Sequence, residues 1–126
     1  MRQVIASSEI QPPVGPYSHA VSASGELVFV SGQTGQHPAT GEIVPGGVAA
    51  ETRQILANLS RVLEAAGLDL ASVVKCNVFL VDMADFAEMN AVFAEVVPAP
   101  HPARSTVAVA GLPLGARVEI ECVAVR

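Results

Sequence analysis

The sequence predicts an α+β domain, a mixed six-stranded β-sheet with two helices packed on one face. Three observations carry this. Apolar residues recur at three- and four-residue steps in only two segments, near 48–66 and 86–96. Elsewhere the apolar runs are short, alternate with polar residues and are punctuated by Gly and Pro. The resulting order is β-β-β-α-β-α-β-β, with no repeat, linker or low-complexity tract, so strands and helices must share one core. A chain of 126 residues suits one domain over 1–126, and a domain of that size buries roughly two-thirds of its unfolded surface.

Residues 3–6 read as a first strand. Prolines then stiffen a connector over 9–15, which ends in Gly15-Pro16-Tyr17-Ser18. The β-rich runs 17–24 and 26–31 flank Ser24-Gly25 and are expected to pair as a hairpin. The strand pattern stops at Ser31-Gly32-Gln33, and the glycine- and proline-bearing stretch 34–47 reads as a long loop. Val48, Thr52, Ile55, Leu59, Val62, Leu63 and Ala66 form one face of an amphipathic helix, with Gly67 placed to end it and Leu68 to fold back on Leu63. Residues 73–81 alternate Lys75, Asn77 and Phe79 with Val74, Cys76 and Val78, as a strand buried on one face does. Asp85 with Glu88 resembles a capping pair for a second helix carrying Phe86, Met89, Phe93 and Val96, which Pro98 terminates.

The chemistry gathers in the last quarter of the chain. Pro102-Ala103-Arg104-Ser105-Thr106 and Arg117-Val118-Glu119-Ile120-Glu121 place an arginine and two carboxylates on extended segments joined by a turn with Leu112-Pro113 and Gly115. A closing hairpin of 105–110 with 116–125 is expected, with Arg104 facing Glu119. Within each strand, Arg104 shares a face with Thr106, and Arg117 shares one with Glu119 and Glu121. Val123 and Val125 continue that second face, which is therefore partly apolar and expected to pack against another subunit. An apolar fraction of 51% with 15% charged residues points the same way, to an oligomer.

Several function classes are excluded. A net charge of -5, with seven Lys and Arg spread singly, offers no basic stripe for a phosphate backbone, so nucleic acid is not an expected partner. No run is long enough to span a bilayer and none resembles a signal peptide, so the default expectation is a cytoplasmic protein without a membrane partner. His19, His37 and His101 lack metal-ligand spacing with one another or with the cysteines, and neither metal nor cofactor is expected. Cys76 and Cys122 lie in apolar strand patterns and read as buried free thiols. Lys75, the only lysine, is better placed for structure than for Schiff-base chemistry.

Taken in order, Gly15-Pro16-Tyr17-Ser18, Ser31-Gly32-Gln33, Thr40-Gly41-Glu42, Gln54 with Asn58-Leu59, Ala65-Ala66-Gly67, Val74-Lys75, Asp85-Phe86, Asn90, Pro102-Ala103-Arg104-Ser105, Leu112-Pro113 and Val118-Glu119-Ile120-Glu121 resemble the RidA (YjgF) family of reactive intermediate deaminases. The resemblance spans nearly the whole chain. It implies a chorismate-mutase-like fold, a homotrimer with a central barrel, and clefts between subunits. It also implies hydrolysis of 2-imino and enamino acids, such as 2-aminoacrylate, 2-iminopropanoate and 2-iminobutanoate, to 2-keto acids and ammonia. By the resemblance Arg104 holds the substrate carboxylate and Glu119 orients the attacking water. Tyr17, Ser31, Gly32, Asn90 and Thr106 are the further substrate-binding candidates. Strand parity alone does not separate Glu119 from Glu121; the resemblance selects Glu119. The alternative is a non-catalytic trimer that binds small carboxylates or regulates partner proteins. A ribonuclease or translation-inhibitor role fits the acidic composition poorly.

Overall fold

In the computed structural model, which describes residues 2–126, the elements follow the expected order. They are β1 (Arg2–Ile5), β2 (Ala20–Ala23), β3 (Leu27–Thr34), α1 (Gly47–Ala65), β4 (Val73–Leu80), α2 (Phe86–Val96), β5 (Ala103–Ala108) and β6 (Val118–Val125). The strands divide into a two-stranded ribbon, β1 with β2, and a four-stranded sheet in the order β3-β6-β4-β5. An isolated bridge between Ser18 and Ala103 joins the ribbon to the β5 edge.

Two pairings differ from expectation. The runs either side of Gly25 do not form a hairpin: β2 lies on β1, and β3 lies on β6. Gly25 has φ +131°, and a Cβ there would stand 2.3 Å from the Arg126 carbonyl oxygen. The Arg126 N–H donates to the Glu26 carbonyl at 2.9 Å, which extends the β3–β6 pairing to the residue before β3. Nor do β5 and β6 form a closing hairpin, because β4 lies between them, parallel to β5 and antiparallel to β6. Parallel neighbours need a crossover, and α2 supplies it. Burial on one face at Cys76, Val78 and Leu80 suits β4 to the centre, whereas β5, exposed at Ser105, Val107 and Ala108, suits the edge.

The core lies between the sheet and the helices. Val48, Ile55, Leu56, Leu59 and Leu63 of α1 and Met89 and Phe93 of α2 pack on Val78, Leu80, Val118, Ile120 and Ala124. Val62, expected on the stripe, is partly exposed, while the neighbouring Leu56 is buried. The cap of α1 forms as expected: Gly67 has φ +74°, and the Leu68 N–H reaches the Leu63 carbonyl at 2.8 Å. The Asp85–Glu88 capping pair does not form. Asp82 instead accepts from the Ala84 N–H at 2.9 Å, and Asp85 turns to Arg117 at 3.6 Å.

Among the described residues most of the opposite sheet face has no cover; Val125, expected there and lying beside Gly25, is instead buried. Lys75, Asn77, Phe79, Glu119, Glu121 and Val123 lie on it by strand alternation. Leu27, Phe29 and Val107 share this side, and Phe29 is 74% exposed. Among the described residues no helix is long and apolar enough to cross a membrane.

Candidate active site

Arg104 occurs one residue into β5, where extended backbone continues from Pro102. Ser18 anchors that approach, its N–H donating to the Pro102 carbonyl at 3.0 Å and its hydroxyl to the carbonyl of His101. Arg104 pairs with Cys76 in the parallel register, so its side chain leaves the sheet on the helix-covered face. There it is 8% exposed. The guanidinium carbon lies 5.3 Å from the Tyr17 ring centre, 5.8 Å from that of Phe86 and 5.1 Å from that of Phe93. Such rings favour a cation through their negative faces but accept none of its in-plane hydrogen bonds. Nε and Nη1 are buried without an acceptor. Buried donors left unpaired cost free energy, more so when charged, and an anion relieves that cost.

Around this guanidinium lies a cavity of about 180 Å³ lined by Val14, Tyr17, Phe86, Arg104 and Thr106. The Thr106 hydroxyl and the Asn90 Oδ1 are likewise buried without partners. Gly15 lets the two polar groups sit under the backbone: a Cβ there would stand 3.1 Å from Asn90 Nδ2 and 3.4 Å from Arg104 Nη2. The Tyr17 hydroxyl accepts from the Val14 N–H at 3.2 Å. Tyr17, Asn90, Arg104 and Thr106 therefore form one cluster.

Glu119 does not belong to that cluster. It pairs with Phe79 on the uncovered face, so Arg104 and Glu119 point to opposite sides of one sheet with β4 between their strands. The expected contact of Arg104 with Glu119 is absent within the chain. Glu119 instead meets the bulge of β3, where Ser31 and Gly32 stand opposite Glu121 alone as the register shifts. A Cβ on Gly32 would lie 2.7 Å from Glu119 Oε2, so only glycine leaves the carboxylate this space. Ser31, exposed, precedes Gly32 in the same bulge. Glu121 is engaged differently, accepting from Asn77 Nδ2 at 3.0 Å. Ser31, Gly32 and Glu119 thus make a second group on the other face.

Electrostatics separate these groups further. Burial pulls the Arg104 pKa down, opposed by Cys76 and Tyr17; a guanidinium starts so far above neutrality that it stays charged. Burial first, then Arg104 and Arg2, hold His101 below the usual histidine range. Burial pushes the Cys76 thiol up to about 12 and that of Cys122 up to about 11. The two are cross-strand partners and both free. Among the described residues no three His, Cys, Asp or Glu are grouped to hold a metal ion.

Sequence reasoning missed Val14, Gly15, Phe86 and Phe93 as parts of the site. Gly15 stood in a motif that was noticed. Phe86 stood in the Asp85-Phe86 motif but was read, like Phe93 seven residues on, only as part of the apolar stripe of a helix.

The chain matches the family described as Endoribonuclease L-PSP over residues 8–126. It is 46% identical over 123 residues to a chloroplastic protein of Arabidopsis thaliana named Reactive Intermediate Deaminase A, covering 98% of this chain and 65% of the plant protein. It is 44% identical over 126 residues to the Bos taurus protein named 2-iminobutanoate/2-iminopropanoate deaminase, covering 100% of this chain and 91% of the bovine one. Among solved structures, a Rid-family protein of unknown function from Yersinia pestis, YyfB, superposes with a TM-score of 0.89 at 34% identity, covering 99% of this chain and 98% of that one.

Proposed function

This chain belongs to the RidA family of reactive intermediate deaminases, and from that membership we propose that it hydrolyses small 2-imino and enamino acids to 2-keto acids and ammonia. The observation that supports this most is the Arg104 guanidinium, buried under aromatic rings with donors that have no acceptor among the described residues. A planar fork matches a carboxylate in two parallel hydrogen bonds. Tyr17, Asn90 and Thr106 border the same carboxylate and the carbon chain behind it.

Glu119 is the base of this reading. It takes a proton from water as the water oxygen attacks the imine carbon, and hands that proton to the nitrogen as the C=N bond becomes a single bond. The carboxylate, free again, takes the proton of the new hydroxyl and passes it to nitrogen as the C–O bond becomes a carbonyl, the C–N bond breaks and ammonia departs. Ser31 and the Gly32 backbone stand beside this water. No metal or cofactor enters these steps.

Because Arg104 and Glu119 lie on opposite sheet faces, the reading requires two copies of the chain at each site. We place the Arg104 cluster of one copy against Ser31, Gly32 and Glu119 of the next, in a homotrimer whose apolar sheet faces, with Leu27, Phe29 and Val107, meet at the centre. The test mixes equal amounts of Arg104→Lys and Glu119→Gln chains after unfolding and refolding. Each variant alone should keep no more than about a tenth of wild-type activity, but random trimers assemble the intact pair at about a quarter of their interfaces, so about a quarter of wild-type activity returns. No recovery, with mixed trimers shown by mass, overturns the shared site.

Deamination is distinguished from ligand binding alone by generating the imine with a serine dehydratase in the presence of semicarbazide. A deaminase diverts the imine before it is trapped; a carboxylate-binding protein leaves trapping unchanged. Ribonuclease action is disfavoured by the net charge of -5 and by a cavity of about 180 Å³ around the one buried arginine.

A further inference from the structure

The connection from β1 to β2 is a strap across the Arg104 cavity. Val14 and Tyr17 line that cavity, and the backbone at Gly15 lies over Asn90 and the guanidinium. From Ser7 to Val14 the strap is exposed and contains neither helix nor strand. Pro12, Pro13 and Pro16 have no N–H, so the backbone has few donors with which to fasten itself. One side chain at its far end does so twice. His19 Nδ1 accepts from the Ser7 N–H at 3.2 Å, and its Nε2 lies 2.9 Å from the Gln11 carbonyl oxygen. An amide N–H only donates and a carbonyl only accepts, so the ring must be neutral with its proton on Nε2.

We propose that His19 is a positioning residue, a staple that holds the strap closed at the start of β2 and so sets Val14 and Tyr17 over Arg104. It touches neither substrate nor reacting atoms. Its contribution is to order the strap in advance, so that a carboxylate entering the cavity does not bear the entropy of ordering it. The inference rests on Arg104 being the carboxylate site. It predicts that His19 governs affinity rather than turnover.

The probe is 2-oxobutanoate, a product-class 2-keto acid, titrated calorimetrically into wild type, His19→Ala, His19→Gln and Ser7→Pro, with imine hydrolysis measured alongside. In His19→Ala the Kd and KM should both rise about tenfold, the size expected when two ordinary hydrogen bonds are lost. The kcat should change less than about twofold, and the melting midpoint by less than about 2 °C, since the strap lies outside the core. Glutamine carries an acceptor oxygen and a donor nitrogen, so His19→Gln should restore both constants. Ser7→Pro keeps the histidine and its bond to Gln11 but removes the Ser7 N–H, together with the Ser7 hydroxyl that accepts from the Glu9 N–H at 3.2 Å, so it should fall between. It also provides the comparison if the alanine variant does not fold. Wild-type binding with His19→Ala equally tight, or a folded His19→Gln no better than the alanine variant, overturns the staple alone. Absence of binding by the wild type overturns the carboxylate site and the staple with it.

Discussion

At Arg104 the proposed carboxylate clamp makes charge and geometry separable by one substitution. Arg104→Lys keeps the positive charge but loses the planar fork and the stacking against Tyr17, Phe86 and Phe93. Activity should fall about one to two decades while the oligomer mass is unchanged; near-normal turnover would remove Arg104 as the carboxylate clamp. For the carboxylates the control lies on the same strand. Glu119→Gln should lower imine hydrolysis by about two to four decades, whereas Glu121→Gln should do little, because Glu121 is already held by Asn77. Damage from Glu121→Gln instead would reverse the assignment. Gly32→Ala should behave like a mild Glu119 variant, since its Cβ would crowd Oε2 at 2.7 Å and push the carboxylate aside. The cysteines call for a different measurement: with pKa values pushed to about 12 and about 11 they are protonated and buried, so an aromatic disulfide reagent should label neither until the protein unfolds.

At the level of elements, the helices and β4 were legible because each carries a period, and Gly67 because a left-handed cap favours glycine. Arg104, Thr106 and Tyr17 were legible as motif residues, and the structure does bring them together with Asn90. What was not legible is the relation between strands. Parity assigns faces within β5 and within β6, but nothing in either strand reveals that β4 is inserted between them, or that Arg104 leaves by the face opposite to Glu119. That outcome is decided by the α2 crossover, a long-range choice. The bulge in β3 escaped notice for a related reason: Ser31-Gly32 read as the end of a strand, and its continuation to Thr34 depends on a partner, β6, distant in sequence. The segment before β5 makes its own prediction. His101 is held below the usual histidine range, so the unfolded chain takes up a proton that the native one refuses. Stability should therefore fall as pH drops through about 6.5 and level off below the native pKa, with no contribution above about 7. His101→Asn should flatten that part of a stability profile measured by denaturant midpoints, and an unchanged slope would contradict it.

For the whole molecule, the open sheet face carries Phe29 at 74% exposure, an apolar surface that the proposed trimer would cover. Sedimentation at micromolar concentration should give three times the chain mass of 13.0 kDa; a monomer would sink the trimer and the shared site together. Phe29→Glu should dissociate the assembly and abolish hydrolysis while leaving each chain folded, since Phe29 lies outside the core between sheet and helices. The chain has no tryptophan and one tyrosine, and that tyrosine is the ring at 5.3 Å from the Arg104 guanidinium. Tyrosine emission, excited where phenylalanine does not absorb, consequently originates at the cavity, so if a carboxylate enters there its occupancy should register as a fluorescence titration of the unlabelled protein.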